Sequence, residues 1–357
     1  MDPKVRNLLL FVVPRVVGLG AAGYLLHWVR RRNAGLLDQN PALNLATLVL
    51  LIVVLWRVGL SVLRRLVLPP RSPLSYGKWA IVTGSTSGIG EEFARHLSSL
   101  GMSLLLISRS ESKLVAQAAE LGATMKSDQH CRYLVYDFTN QDAAQRDGFY
   151  NEALSQECAH ISSSGGLGLL VNNVGIANDI PKALEEFSDA ECDNLLTCNI
   201  HSTVFMTRAV LGVMKKQKKG GAIICVSSGS GNHPGPFIAI YSATKAFMTQ
   251  FCRSMHVECW DSGVDFLVVT PFYIVSNLYK RKTGTLLAPM PNVLVRGTLA
   301  QLGKKYVWQG HGYWLHGLLG NLASYYWETA RRWRKMMVDN RKRHDERSRN
   351  KETNKSK

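Results

Sequence analysis

A short apolar strand, Lys78–Thr83, runs directly into Gly84-Ser-Thr-Ser-Gly88-Ile-Gly90 and then into the helical run Glu91–Leu100. This order constrains the fold more than any other feature of the chain. Glycines at a strand-to-helix turn let the backbone approach a pyrophosphate, and the helix N-terminus adds amide donors and a positive dipole. A glycine string alone is an ordinary turn; the flanking strand and helix turn it into a dinucleotide-binding signal. Strand and helix patterns keep alternating to about Thr270. That alternation predicts an α/β fold, a Rossmann-like doubly wound parallel sheet with helices on both faces.

The composition changes at Leu68–Pro73, where the prolines cannot continue a helix. The 357 residues are read as a membrane-anchoring region over 1–70, a catalytic domain over 71–285, a lid and helical extension over 286–338, and a charged tail over 339–357. Leu43–Leu63 is apolar over about the twenty residues needed to cross a bilayer. Leu8–Val29 is interrupted by Pro14 and Arg15, so it either spans or lies in the interface. Arg64, Arg65 and Arg71 place the rest of the chain on the cytosolic side, although Arg30–Arg32 between the two segments conflict with a two-span hairpin.

The net charge is +17, and from Arg331 onward twelve basic residues meet four acidic ones. A basic surface beside apolar segments points to lipid. No zinc spacing or nucleic-acid module is visible, so nucleic acid is not expected as a partner. The seven cysteines are scattered without a CxxC pair, which excludes a disulfide framework and a zinc site and fits a reducing compartment. No metal is expected.

The chemistry-bearing residues follow in order. The second strand ends in Ser108-Arg109. An acid there would bond a ribose 2′-hydroxyl, whereas Arg109 favours a 2′-phosphate and hence NADPH. Asp137 follows the third strand, and Asn172-Asn173-Val174-Gly175 closes the fourth. A serine-rich strand end, Ser227–Gly231, precedes Tyr241-Ser-Ala-Thr-Lys245 at a helix start. The i, i+4 spacing puts phenol and ammonium on one helix face, where the ammonium is expected to lower the phenol pKa and make Tyr241 a proton donor. Ser227, Ser228 and Ser230 remain candidates for the partner serine, with turn formation the alternative for each.

Together these strings resemble the short-chain dehydrogenase/reductase family. Thr83, Gly84, Gly88, Ile89 and Gly90 match its TGxxxGIG turn, and Ser85 and Ser87 inside the turn are added to the cofactor set. The resemblance implies adenine contact by Asp137, cofactor contacts at Ser108, Arg109, Asn173, Val174 and Gly175, and Pro271 beside the nicotinamide carboxamide. It selects Ser228, thirteen residues before Tyr241, as the substrate-orienting serine. It gives Lys245 a ribose contact and Asn199 a water that links Lys245 to solvent.

NNVG and Thr270-Pro-Phe-Tyr-Ile-Val-Ser276 are similar to the branch of 17β-hydroxysteroid dehydrogenases and very-long-chain 3-oxoacyl-CoA reductases. That branch implies NADPH-dependent reduction of a lipid ketone at the endoplasmic reticulum membrane, with an acyl-CoA or a steroid as substrate. Homo-oligomers and fatty-acid elongation enzymes are the implied protein partners. Lys280, Arg281 and Lys282 are read either as a site for coenzyme A phosphates or as a solvated loop. A catalytically silent membrane scaffold is the remaining alternative.

Overall fold

The computed structural model describes residues 69–178, 180–276, 283–304, 307–317, 334–339, 341–343 and 346, with isolated positions between 49 and 59. The chain divides into Met1–Pro69 and Pro70–Lys357, and the architecture below is that of the second unit. Leu8–Val29, most of Leu43–Leu63 and Lys280–Lys282 lie outside the described residues. Among the described residues no helix is long and apolar enough to cross a membrane.

Seven parallel strands form the sheet: β1 Trp79–Thr83, β2 Ser103–Ser108, β3 Cys131–Val135, β4 Leu167–Asn172, β5 Gly221–Val226, β6 Val264–Val269 and β7 Gln309–Gly310. The helices are α1 Gly88–Ser99, α2 Glu111–Gly122, α3 Ala143–Asp147, α4 Leu154–Ser163, α5 Asp189–Leu196, α6 Ser202–Lys216, α7 Ala239–Glu258 and α8 Pro291–Leu299.

The central strands are buried on both faces, which is why they read as unbroken apolar runs. Trp79 and Ile81 join one core with Ile161 of α4, Met206 of α6 and Met248 of α7. Ala80 and Val82 join the other core with Phe93 of α1, Leu114 of α2 and Leu294 of α8. Burying an Ile or Val side chain contributes about 1.5–3 kcal/mol, so both faces stabilise the sheet.

The strand order is β3-β2-β1-β4-β5-β6-β7. The chain first moves outward from β1 to β3 and then crosses back to β4 beside β1. The order reverses there, and the helices that follow β1 and β4 leave in opposite directions. A crevice therefore opens at the carboxyl ends of these two strands.

Two helical runs contain an extra residue. A π turn at Gly148–Ala153 joins α3 to α4, and a π turn at Thr197–His201 joins α5 to α6. The second run starts at a capping box. Ser188 Oγ accepts from the Glu191 amide at 3.3 Å, and the Glu191 carboxylate accepts from the Ser188 amide at 3.0 Å.

Candidate active site

A cleft of about 1000 Å³ opens at the carboxyl ends of the strands. Gly84, Ser87, Gly88, Ile89, Ser108, Arg109, Asp137, Asn173, Val174, Gly175, Ser228, Tyr241, Lys245 and Pro271 all line it. Residues predicted from seven separated stretches of chain thus meet in one place.

The glycine turn is a mechanical joint between β1 and β4. Thr83 Oγ1 donates to Val171 O at 3.2 Å and accepts the amides of Asn173 and Val174, each at 3.1 Å. Asn173 Nδ2 donates back to Thr83 O at 3.0 Å and Gly84 O at 3.2 Å. A Cβ on Gly90 would stand 2.2 Å from Gly84 O and 2.4 Å from Asn173 Nδ2, so only glycine fits. Gly84 and Gly88 take positive φ angles of +63° and +57°. The Ser87 side chain makes no cap, which leaves the first amides of α1 open toward the cleft.

Thr83, Ser85 and Gly90 are not in the cleft lining. Thr83 and Gly90 shape the turn from behind. Ser85 is fully buried with an unpartnered hydroxyl, and its carbonyl accepts from Gln117 Nε2 at 2.8 Å. All three belong to the turn itself and stand behind its cleft-lining residues.

At the end of β2, Arg109 is exposed at the cleft and Ser108 Oγ pairs with Thr86 Oγ1 at 2.9 Å. Lys113 joins Arg109 in the lining. It stands in the first turn of α2, whereas Arg109 precedes the N-cap Ser110 of that helix. The open helix amides and two cations fit an anionic dinucleotide carrying an additional phosphate. Asp137 is held by an Asx turn, its Oδ1 accepting from the Thr139 amide at 2.9 Å and the Thr139 hydroxyl at 2.8 Å.

The candidate reacting groups lie in the turn after β5 and on α7. Lys245 is 4% exposed, and its Nζ donates to Val226 O at 3.1 Å. Burial pulls its pKa down to about 8. A Cβ on Gly175 would stand 3.1 Å from Lys245 Nζ and 3.1 Å from Asn199 Oδ1, so the bare glycine admits both side chains.

Ser228 Oγ accepts from the Ser230 amide at 3.2 Å and from Ser230 Oγ at 3.0 Å. A hydroxyl has two acceptor sites and one proton. With both acceptor sites filled, the Ser228 proton is directed outward, and Ser228 hydrogen-bonds the Tyr241 phenol. Ser230 is therefore a positioning residue for Ser228. Ser227 instead ties β5 to α7, donating to Lys245 O at 2.7 Å.

The expected direction for the Tyr241 pKa is reversed. Burial raises it, and the Ser228 hydrogen bond opposes that rise. Lys245 Nζ lies 5.8 Å from the centre of the Tyr241 ring. Desolvation outweighs the ammonium at this separation and keeps the phenol protonated, the form a general acid requires.

Asn199 sits in the π turn and is 0% exposed. Its Oδ1 accepts from the Ile176 amide at 2.8 Å, and its Nδ2 donates to Ile176 O at 2.9 Å and Thr244 Oγ1 at 3.0 Å. The side chain clasps the loop after β4 to α7. Its side-chain partners fix the π turn against the loop after β4 and against α7.

Gly229 N donates to Pro271 O at 2.7 Å, joining the serine turn to the segment after β6. Phe272 stacks on His233, with centroids 5.9 Å apart. The Phe272 amide donates to His316 Nδ1 at 3.3 Å, so His316 Nε2 carries the proton toward Leu287 O at 3.1 Å. Phe237 holds a φ of +62°, and its carbonyl accepts from Asn178 Nδ2 and the Lys182 amide next to the lining residue Ile238.

Residues 78–285 match the short chain dehydrogenase family. The chain is 34% identical to the very-long-chain 3-oxoacyl-CoA reductase of Bos taurus over 250 residues, 70% of this chain and 75% of that one. The Homo sapiens protein of the same name matches at 34% identity over the same shares. Among solved structures, a short-chain dehydrogenase from Sphingobium yanoikuyae in complex with NADPH is similar at a TM-score of 0.56 and 24% identity, covering 70% of this chain and 96% of that one. Its glycine turn, its ordered serine, tyrosine and lysine, and these matches make the chain a member of the short-chain dehydrogenase family.

Proposed function

We propose that the protein is an NADPH-dependent ketoreductase that converts a very-long-chain 3-oxoacyl-CoA to the 3-hydroxyacyl-CoA. The observation that carries this reading is the meeting of Ser228, Tyr241 and Lys245 in the cleft that Ser87, Arg109 and Lys113 also line. The named relatives supply the substrate class. Bound in the cleft, a reduced nicotinamide supplies hydride. Ser228 donates its outward proton to the ketone oxygen and orients it. Tyr241, protonated in its buried setting, gives its proton to that oxygen as charge develops. Lys245 lies behind the phenol as a buried cation within reach of a ribose hydroxyl. Arg109 and Lys113 pair with the 2′-phosphate.

The same reading places the protein on the endoplasmic reticulum membrane with this domain toward the cytosol, among the enzymes of fatty-acid elongation. Support comes from the length of Leu43–Leu63 and from the cations that follow it. Exposed Phe247 and Val257 on α7, with Trp260 in the turn just beyond it, support self-association through that helix.

The test is turnover by the full chain with NADPH, given a 3-oxoacyl-CoA or a steroid ketone. NADPH oxidation with the acyl substrate is expected. Oxidation with the steroid alone selects the 17β-hydroxysteroid reading, and none with any ketone selects the scaffold.

A further inference from the structure

Part of the cleft wall comes from a segment far along the chain. Met336, Met337 and Arg343 line the same cleft as Ser228, Tyr241 and Lys245. They belong to helical residues 334–339 and 341–343. Met337 is buried, and Arg343 is exposed. The stretch is pinned by Arg341, whose Nη1 donates to Glu186 Oε2 at 2.7 Å and whose Nη2 donates to Glu186 Oε1. A forked arginine–carboxylate pair fixes orientation as well as distance. Glu186 lies in the segment after β4 that also contributes Asn178 and Pro181 to the lining. Two segments that both face the cleft are thus joined across more than a hundred residues of chain.

Arg343 makes no ion pair among the described residues. A cation on a cleft wall with no ion pair among the described residues is matched to an anionic ligand. The cofactor phosphate already has Arg109 and Lys113, which follow β2. Arg343 is held instead beside the segment after β4, and β1 separates these two strands. The two methionines add an apolar, adaptable surface of the kind a flexible acyl chain can pack against.

We infer that residues 334–339 and 341–343 form a substrate subsite. Met336 and Met337 wall the acyl chain, Arg343 takes a phosphate of the coenzyme A carrier, and the Arg341–Glu186 pair holds the subsite in place. This rests on the 3-oxoacyl-CoA reading above.

The experiment uses the full chain, NADPH and two thioesters of one 3-oxoacyl group. One is carried on coenzyme A and the other on N-acetylcysteamine, which has no phosphate. Arg343→Ala is expected to raise KM for the coenzyme A thioester about tenfold while shifting the truncated thioester and NADPH less than about twofold. Arg341→Ala and Glu186→Ala should act in the same direction, and Arg341→Glu combined with Glu186→Arg should recover most of the loss. An unchanged KM, an equal rise for both thioesters, or a rise for NADPH alone overturns the subsite. Calorimetric titration with coenzyme A alone gives a readout without turnover. Weaker binding to Arg343→Ala supports the subsite and equal binding overturns it. Failure of the wild-type chain to reduce either thioester defeats the 3-oxoacyl reading separately.

Discussion

Lys245 is buried at a cost, and that cost can be measured. Holding its pKa at about 8, against an ordinary lysine value of 10.5, removes about 3 kcal/mol of stability at neutral pH. The sign follows from proton counts. Below pH 8 both the folded and unfolded chains carry the proton, so the penalty is fully present. Between pH 8 and 10.5 the folded chain has lost the proton and the unfolded chain has kept it, so stability rises with pH. Lys245→Met keeps the volume and removes the charge. It also loses the bond to Val226 O, which returns about 1 kcal/mol of the gain. The variant should therefore be about 2 kcal/mol more stable than wild type at pH 7, and level with it or slightly weaker near pH 10.5. Thermal unfolding of both full-length proteins in detergent, without cofactor, reads this as a rise of about 4–8 °C at pH 7 that vanishes with increasing pH. Taking the difference between the two proteins cancels other groups that titrate in the same range. A difference independent of pH, or a variant less stable at pH 7, would refute the desolvation argument.

Other outcomes follow from the same geometry. Tyr241→Phe should lower turnover by about 10²- to 10⁴-fold while NADPH affinity, read by fluorescence titration, changes little. Arg109→Glu with Lys113→Glu should weaken NADPH binding well beyond NADH binding; equal weakening of both cofactors would remove the 2′-phosphate assignment. Gly90→Ala forces a Cβ against backbone at 2.2 Å, and should cost about 1–3 kcal/mol or more in chemical denaturation.

The sheet and the motif order were readable because each depends on local pattern. Buried parallel strands are uniformly apolar, and a glycine turn between strand and helix has few other uses. What escaped depends on closure in three dimensions. Ser85 looks like any turn serine, yet the chain has not left the core at that position. A one-residue π insertion at Thr197–His201 leaves no trace in a periodicity, although it sets the direction of Asn199. The i, i+4 spacing correctly puts Lys245 near Tyr241, but spacing says nothing about desolvation, which decides the phenol pKa. Met336, Met337 and Arg343 lie about a hundred residues from Tyr241, and only the folded chain brings them to the cleft.

The bonds that Thr83 and Asn173 exchange have a bearing on how descent can be read in such chains. Those bonds close the seam where the strand order reverses, so a lineage that abandoned turnover would still need both residues, and Gly90 between them, to keep its sheet. Their persistence records folding. The Tyr241 hydroxyl supports no comparable seam. In this architecture, loss of activity would show first as drift at position 241 while the glycine signature stays intact.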